Sequence, residues 1–217
     1  MKNFAVIISG CGVYDGAEIH ESVLTMWAIR KNGAEYTMFA PDIPQHHVIN
    51  HLNGQEMNEK RNVLIESARI ARGDIKNLNE FRAEDYDALI IPGGFGAAKN
   101  LCTFAFDGTE CYVNPEVEKA VKQMIDARKP IGALCISPIL LAKIVGDAVQ
   151  LTIGKDPQTI EAIENLGAVH EETDHGDVVV DENFNVVTTP CYMLEADIVQ
   201  IADGADNVVK SILELIG

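Results

Sequence analysis

Short apolar runs alternate with longer amphipathic stretches along this chain, and turn chemistry marks most of the boundaries. Phe4 to Ser9 is brief and almost wholly apolar, which predicts a first strand. Ala17 to Lys31 places Ile19, Val23, Leu24 and Trp27 at helical spacing, stops at Asn32-Gly33 and leads into a strand from Glu35 to Phe39. Asp87 to Ile91 predicts a buried strand that ends at Pro92-Gly93-Gly94. Asn114-Pro115-Glu116 combines a capping side chain, a proline at the first helical position and an early acid, so a helix runs from Pro115 to about Arg128. Lys129 to Leu134 predicts another strand, and Ser137-Pro138 opens the helix after it. Further on, Thr159 to Leu166 has helical spacing, Asp177–Val180 and Asn185–Thr189 form a hairpin, and Leu194 to Leu215 is a last helix broken near Gly204. Between Pro41 and Phe81 there is no strong sheet signal; only Asn58 to Arg72 is patterned as a helix, which marks an insertion that shapes a site or an interface.

Strands alternating with helices predict an α/β fold, a mostly parallel sheet covered on both faces. At 217 residues the chain suits a single domain with one such sheet. Seventeen Lys and Arg against 33 Asp and Glu give a formal charge of −16, which disfavours nucleic acid and anionic membranes as partners but not a small neutral carbonyl. No apolar stretch approaches the roughly 20 residues of a membrane span. The five cysteines are scattered, with no paired spacing that suggests zinc or a disulfide framework, and the expectation is a cytosolic protein with reduced thiols.

Three loops fall at the carboxyl ends of strands, where such sheets bind ligands: Gly10-Cys11-Gly12, Pro92-Gly93-Gly94-Phe95-Gly96 and Cys135. Cys135 sits on a sharp strand-to-helix turn, the logic of a nucleophile elbow with sulfur in place of oxygen. There the helix N-terminus favours thiolate over thiol. The alternative is a strand-end cysteine packed as a small hydrophobe. A nucleophile needs a proton partner, and Asp15, Glu18, His20 and Glu21 follow the first loop. Asp15 and Glu18 read as solvated acids that complement the helix dipole, whereas Glu21 lies near the buried edge. Amides of the Gly93-Gly94 turn and of Ile136 are available to hold an oxyanion. His46, His47 and His51 read as surface or interface residues, and Cys11 and Cys191 as packing residues on the same edge.

These segments carry a resemblance. Gly16-Ala17-Glu18-Ile19-His20-Glu21, Pro92 to Leu101 and Ala133-Leu134-Cys135-Ile136-Ser137-Pro138 are similar to the three signatures of the PfpI superfamily, related to class I glutamine amidotransferases. Ser9 to Gly16, Val48 to Leu52 and Arg61 to Glu66 resemble its ElbB subgroup more finely. The resemblance implies a flavodoxin-like three-layer sandwich in one domain over residues 1–217, with the insertion at about 41–81. It also implies Cys135 as nucleophile, Glu21 as the carboxylate bonded to it, and Gly94 and Ile136 as oxyanion amides. The implied activity is a glutathione- and metal-independent glyoxalase, a cysteine-dependent lyase without cofactor, in a homodimer. A deglycase activity and a link to isoprenoid biosynthesis are attached to the same resemblance.

The departures narrow this expectation. Ile136 stands where the related proteases have histidine, Thr188-Thr189-Pro190-Cys191-Tyr192 offers no His-x-Glu dyad, and Leu151-Thr152-Ile153-Gly154 carries no histidine. Amide hydrolysis must protonate a poor amine leaving group, so proteolysis and glutamine hydrolysis are disfavoured. Moving a proton between two carbons of a dicarbonyl needs only one positioned carboxylate. The rival readings are a deglycase or isoprenoid accessory protein with the same site, and a non-enzymatic cysteine redox sensor.

Overall fold

The computed structural model describes residues 1–217. In chain order it has β1 (Asn3–Ile7), α1 (Ile19–Lys31), β2 (Glu35–Ala40), α2 (Val63–Ile70), β3 (Ile75–Asn77), β4 (Ala88–Ile91), α3 (Phe104–Asp107) and α4 (Pro115–Asp126). There follow β5 (Ile131–Leu134), α5 (Pro138–Val145), β6 (Gln150–Leu151), α6 (Pro157–Asn165), β7 (Val169–His170), β8 (Val179–Asp181), β9 (Val186–Thr189) and α7 (Ile198–Ile216). Seven strands make one sheet in the order β3-β2-β1-β4-β5-β9-β8, parallel except where β8 runs against β9. This is a flavodoxin-like α/β fold, a parallel sheet between two layers of helices.

Period-two alternation builds both layers from the same strands. Ala5, Ile7, Leu89, Ile91, Ile131 and Ala133 face one core, with Val117, Val121 and Met124 of α4. Phe4, Val6, Ala88, Ile90 and Leu134 face the other, with Ala28 and Ile29 of α1 and Ile201, Val208 and Ile212 of α7. At Gly132 a side chain would come within 2.9 Å of both Val208 and Ile212, so α7 lies on β5 only because that position is bare.

Two expectations change here. The insertion was expected to lack sheet structure, yet β3 forms the sheet edge, pairing Met38 with Ile75 and Ala40 with Asn77. Three residues at an edge, with Lys76 facing solvent, are too short to leave a period in the sequence. The last helix is unbroken through Gly204, which is buried against Thr189 and Cys191; there glycine permits close packing rather than a break. Its start is Ile198, after a capping box built by Asp197 and Gln200.

The chain runs β1 to β3 toward one edge and then returns to β4 on the other side of β1. The strand order reverses between β1 and β4, where a crevice opens at their carboxyl ends. The loops Gly10–Gly16 and Pro92–Gly96 border it, and β5 delivers Cys135 beside it.

Candidate active site

Cys135 follows β5 with φ of 60°, left-handed backbone that a non-glycine residue adopts only under constraint. The constraints are visible. Its N–H donates to Thr189 O at 3.0 Å, the N–H of Ser137 donates to Leu134 O at 3.0 Å, and the buried Ser137 hydroxyl donates to Pro92 O at 2.7 Å. The elbow is thus tied to the strand on one side and to the β4 loop on the other. The N–H groups of Gly94 and Ile136 both point at the sulfur.

Glu21 is wholly buried, in the first turn of α1. Its Oε2 accepts the Gly93 N–H at 2.9 Å, its Oε1 accepts the Tyr192 N–H at 3.3 Å, and its carboxyl faces the Cys135 thiol. Burial, then the neighbouring Glu18 charge, push Glu21 up to about 8 against those hydrogen bonds. Cys135 also lies well above its ordinary value, because burial and the facing carboxylate outweigh the Gly94 and Ile136 amides. The sequence expectation of a thiolate favoured by the helix N-terminus is therefore corrected: only 7% exposed, the sulfur loses more solvation than two N–H groups return.

Gly93 makes this closeness possible. A Cβ there would stand 2.4 Å from Cys135 Cβ, 2.9 Å from its sulfur and 2.7 Å from Glu21 Oε2. Gly93→Ala is expected to lower stability by about 1–3 kcal/mol and to part the thiol from the carboxyl. Thermal unfolding and Cys135 alkylation rates check this, and a variant matching wild type in both would contradict the packing described. Gly94, at φ of 96°, would meet Glu18 N at 2.3 Å, so its bare amide is also a steric necessity.

Glu18 and Asp15 are not the solvated acids expected. Glu18 is buried and caps α1, its carboxylate accepting the Glu21 N–H at 2.7 Å. Asp15 is buried too, accepting the Ile49 N–H at 2.6 Å, with His51 Nε2 at 3.8 Å. Together with Gly10 N–H to Ser67 Oγ at 2.9 Å, these bonds hang the insertion on the first loop. His51 accepts the Tyr14 N–H at 3.2 Å, and His46 and His47 stack around Phe106; none of the three lines the cavity at Cys135. Cys191 packs beside the pair, while Cys11 is half-buried over the insertion.

A residue passed over in the sequence enters here. Tyr192 lines the cavity above Cys135, gives its N–H to Glu21, and its hydroxyl meets His20 Nδ1 at 2.8 Å. No motif carries it, because His20 and Tyr192 are 172 residues apart in the chain. The cavity itself holds about 340 Å³ between the β4 loop, α3 and the turn after β9.

The DJ-1/PfpI family matches this chain over residues 11–193, and the chain belongs to that family. A rat protein named ES1 protein homolog, mitochondrial, is 48% identical over 98% of this chain and 84% of its own length. A human glutamine amidotransferase-like class 1 domain-containing protein 3, also named mitochondrial, is 48% identical over 98% of this chain and 83% of its own. The crystal structure of an Ehrlichia chaffeensis isoprenoid biosynthesis protein with an amidotransferase-like domain superposes with a TM-score of 0.94 at 36% identity, covering both chains fully.

These names overturn the expectation of a cytosolic protein, since relatives 48% identical over nearly the whole chain are named mitochondrial. The physical ground for that expectation was too coarse. Unpaired cysteines separate oxidising from reducing compartments and do not separate the cytosol from another reducing space.

Proposed function

We propose that the protein is a cofactor-independent glyoxalase that converts small dicarbonyls such as glyoxal to 2-hydroxy acids, in the ElbB subgroup of its family. The observation that carries this reading is the buried Glu21 carboxyl set against Cys135, both crowding Gly93, at the foot of a cavity.

The sulfur of the deprotonated pair adds to one aldehyde carbon of glyoxal. The carbonyl electron pair becomes an oxyanion facing the amides of Gly94 and Ile136, and it takes a proton to give a hemithioacetal. Glu21 removes the hydrogen on the sulfur-bearing carbon, leaving an enediol, and returns a proton to the neighbouring carbon. The product is a 2-hydroxyacyl thioester on Cys135, and water cleaves it to glycolate and the free thiol. One water is consumed, and the oxidation of one carbon balances the reduction of the other, so no outside oxidant is needed. A carboxyl raised to about 8 suits both directions of proton transfer near neutral pH.

Deglycase activity would use the same residues. The redox-sensor reading has less support, because its premise was a low-pKa thiol and burial raises this one. The Ehrlichia relative supports a tie to isoprenoid metabolism by its name alone. Turnover of glyoxal by the wild type beside Cys135→Ser tests the proposal, and equal rates in the two would sink it.

A homodimer belongs to the same proposal. Of the apolar residues in the insertion, Val63 and Ile70 are spent inside the protein and Ile65 is 65% exposed, while α1 shows Ile19, Val23 and Trp27, each at least 42% exposed and four residues apart along one side. Light scattering at micromolar concentration is expected to give twice the 23.7 kDa chain mass, and Val23→Glu with Trp27→Glu to give the monomer. A monomeric wild type would contradict it.

A further inference from the structure

The cavity above Cys135 is far more apolar than glyoxal requires. Phe95, Phe104, Tyr192 and Met193 form its walls, and no Lys, Arg, His, Asp or Glu lines it. Gly94 and Thr159 are its only lining residues without an apolar or thiol side chain. Lys99, the cation next to it, lies over the Phe95 ring, 5.2 Å from its centroid, and gives its ammonium to Tyr14 O at 2.8 Å. Such a space of about 340 Å³ is at the lower end of the range for small-molecule sites. Glyoxal, with four non-hydrogen atoms, would leave most of the wall facing water. A charged group would enter without any counter-charge, which disfavours an amino acid and a glycated lysine or arginine side chain.

We infer that the site takes an uncharged aldehyde or 2-oxoaldehyde bearing an apolar group, branched alkyl or aryl, and that Phe95, Phe104 and Met193 select it. The inference rests on carbonyl addition at Cys135 and names the substrate class for that chemistry. The reacting carbon sits over the sulfur and the two amides, at the polar floor. The apolar group extends between the aromatic walls, where each methylene taken out of water strengthens binding roughly fourfold.

The test separates binding from turnover by using monoaldehydes. These add reversibly to the thiol, forming a sulfur–carbon bond as the carbonyl oxygen gains a proton. They stop there, for lack of a second carbonyl. Protection of Cys135 from iodoacetamide is measured by peptide mapping against increasing 3-methylbutanal or acetaldehyde, each corrected for its addition to a small free thiol. The wild type is expected to reach half-protection at least tenfold lower with 3-methylbutanal, since three added carbons allow up to about 60-fold. Phe95→Ser alters a residue that is already 49% exposed, so folding is not at stake, and it should lower the ratio severalfold through weaker protection by 3-methylbutanal. Phe104→Ala should do the same from the opposite wall.

A ratio near one in the wild type overturns the inference, as does no protection by either aldehyde, or an unchanged ratio in both variants. If the ratio holds while no dicarbonyl is turned over, the pocket assignment stands and the glyoxalase reading falls. If dicarbonyls are turned over while the ratio is near one, the reverse follows.

Discussion

Cys135→Ala is expected to reduce dicarbonyl turnover by at least about 10³-fold, because without the sulfur no covalent intermediate forms and Glu21 has no bound carbon acid to act on. The fold should survive. The backbone bonds that hold the elbow, from Cys135 N–H to Thr189 O and from Ser137 Oγ to Pro92 O, do not involve the thiol. Circular dichroism and thermal unfolding separate lost chemistry from lost structure. A variant that is folded and retains more than a tenth of wild-type turnover would move the nucleophile elsewhere, with Cys191 beside the pair as the next thiol to examine.

Glu21→Gln carries the second large effect, and it is visible in stability as well as rate. Turnover should fall by about 10²–10⁴-fold, the range for a positioned acid or base. For stability the sign follows from the raised carboxyl. In the unfolded chain Glu21 ionises near the ordinary carboxyl value of 4.5, and in the folded protein at about 8. The folded state therefore holds a proton that the unfolded state has lost across that window. The stability contributed is complete below 4.5 and declines as pH rises toward 8, by about 1.4 kcal/mol per pH unit. Glutamine has no such dependence. Its amide NH₂ must face either the Gly93 or the Tyr192 N–H, a constant cost of about 1–3 kcal/mol. The variant should start less stable than wild type at pH 5 and overtake it toward pH 8. Denaturant midpoints at several pH values check this, and parallel pH dependence in the two proteins would mean that Glu21 is ionised in the fold.

Glu18→Gln is a probe of the same pair rather than an inert control. The Glu18 charge is the second cause of the raised Glu21, so removing it should lower the pH at which the Glu21 carboxyl ionises and shift the pH dependence of turnover with it. The α1 cap should survive, since a glutamine oxygen can still accept the Glu21 N–H.

The alternation of strands with helices and the elbow were readable because their signals are local. Asn114-Pro115-Glu116 marks its helix within three residues, and the cap is seen, the Asn114 side chain accepting from Glu116 and Val117. The hairpin of β8 and β9 was likewise legible from two apolar runs about a tight turn. What escaped depends on distance along the chain. Asp15 looked like a solvated acid because the Ile49 N–H it accepts becomes its partner only when the insertion folds over the first loop, and Glu18, although it caps its own helix, because the segments that bury it lie far along the chain. Tyr192 joins Glu21 across 171 residues and leaves no periodic trace. The sulfur was expected to ionise readily because a helix N-terminus shows in sequence, whereas the depth of burial that outweighs it does not.

The measurement closest to the central claim follows glyoxal in D₂O by proton NMR with the wild type and with Cys135→Ala. Shuttling by Glu21 through an enediol predicts glycolate carrying solvent deuterium on its CH₂ carbon, formed at least about 10³-fold more slowly by the variant. Glycolate whose CH₂ keeps both protons would mean that the transferred hydrogen never exchanges with solvent, and glycolate formed no faster by the wild type than by Cys135→Ala would contradict the account as a whole.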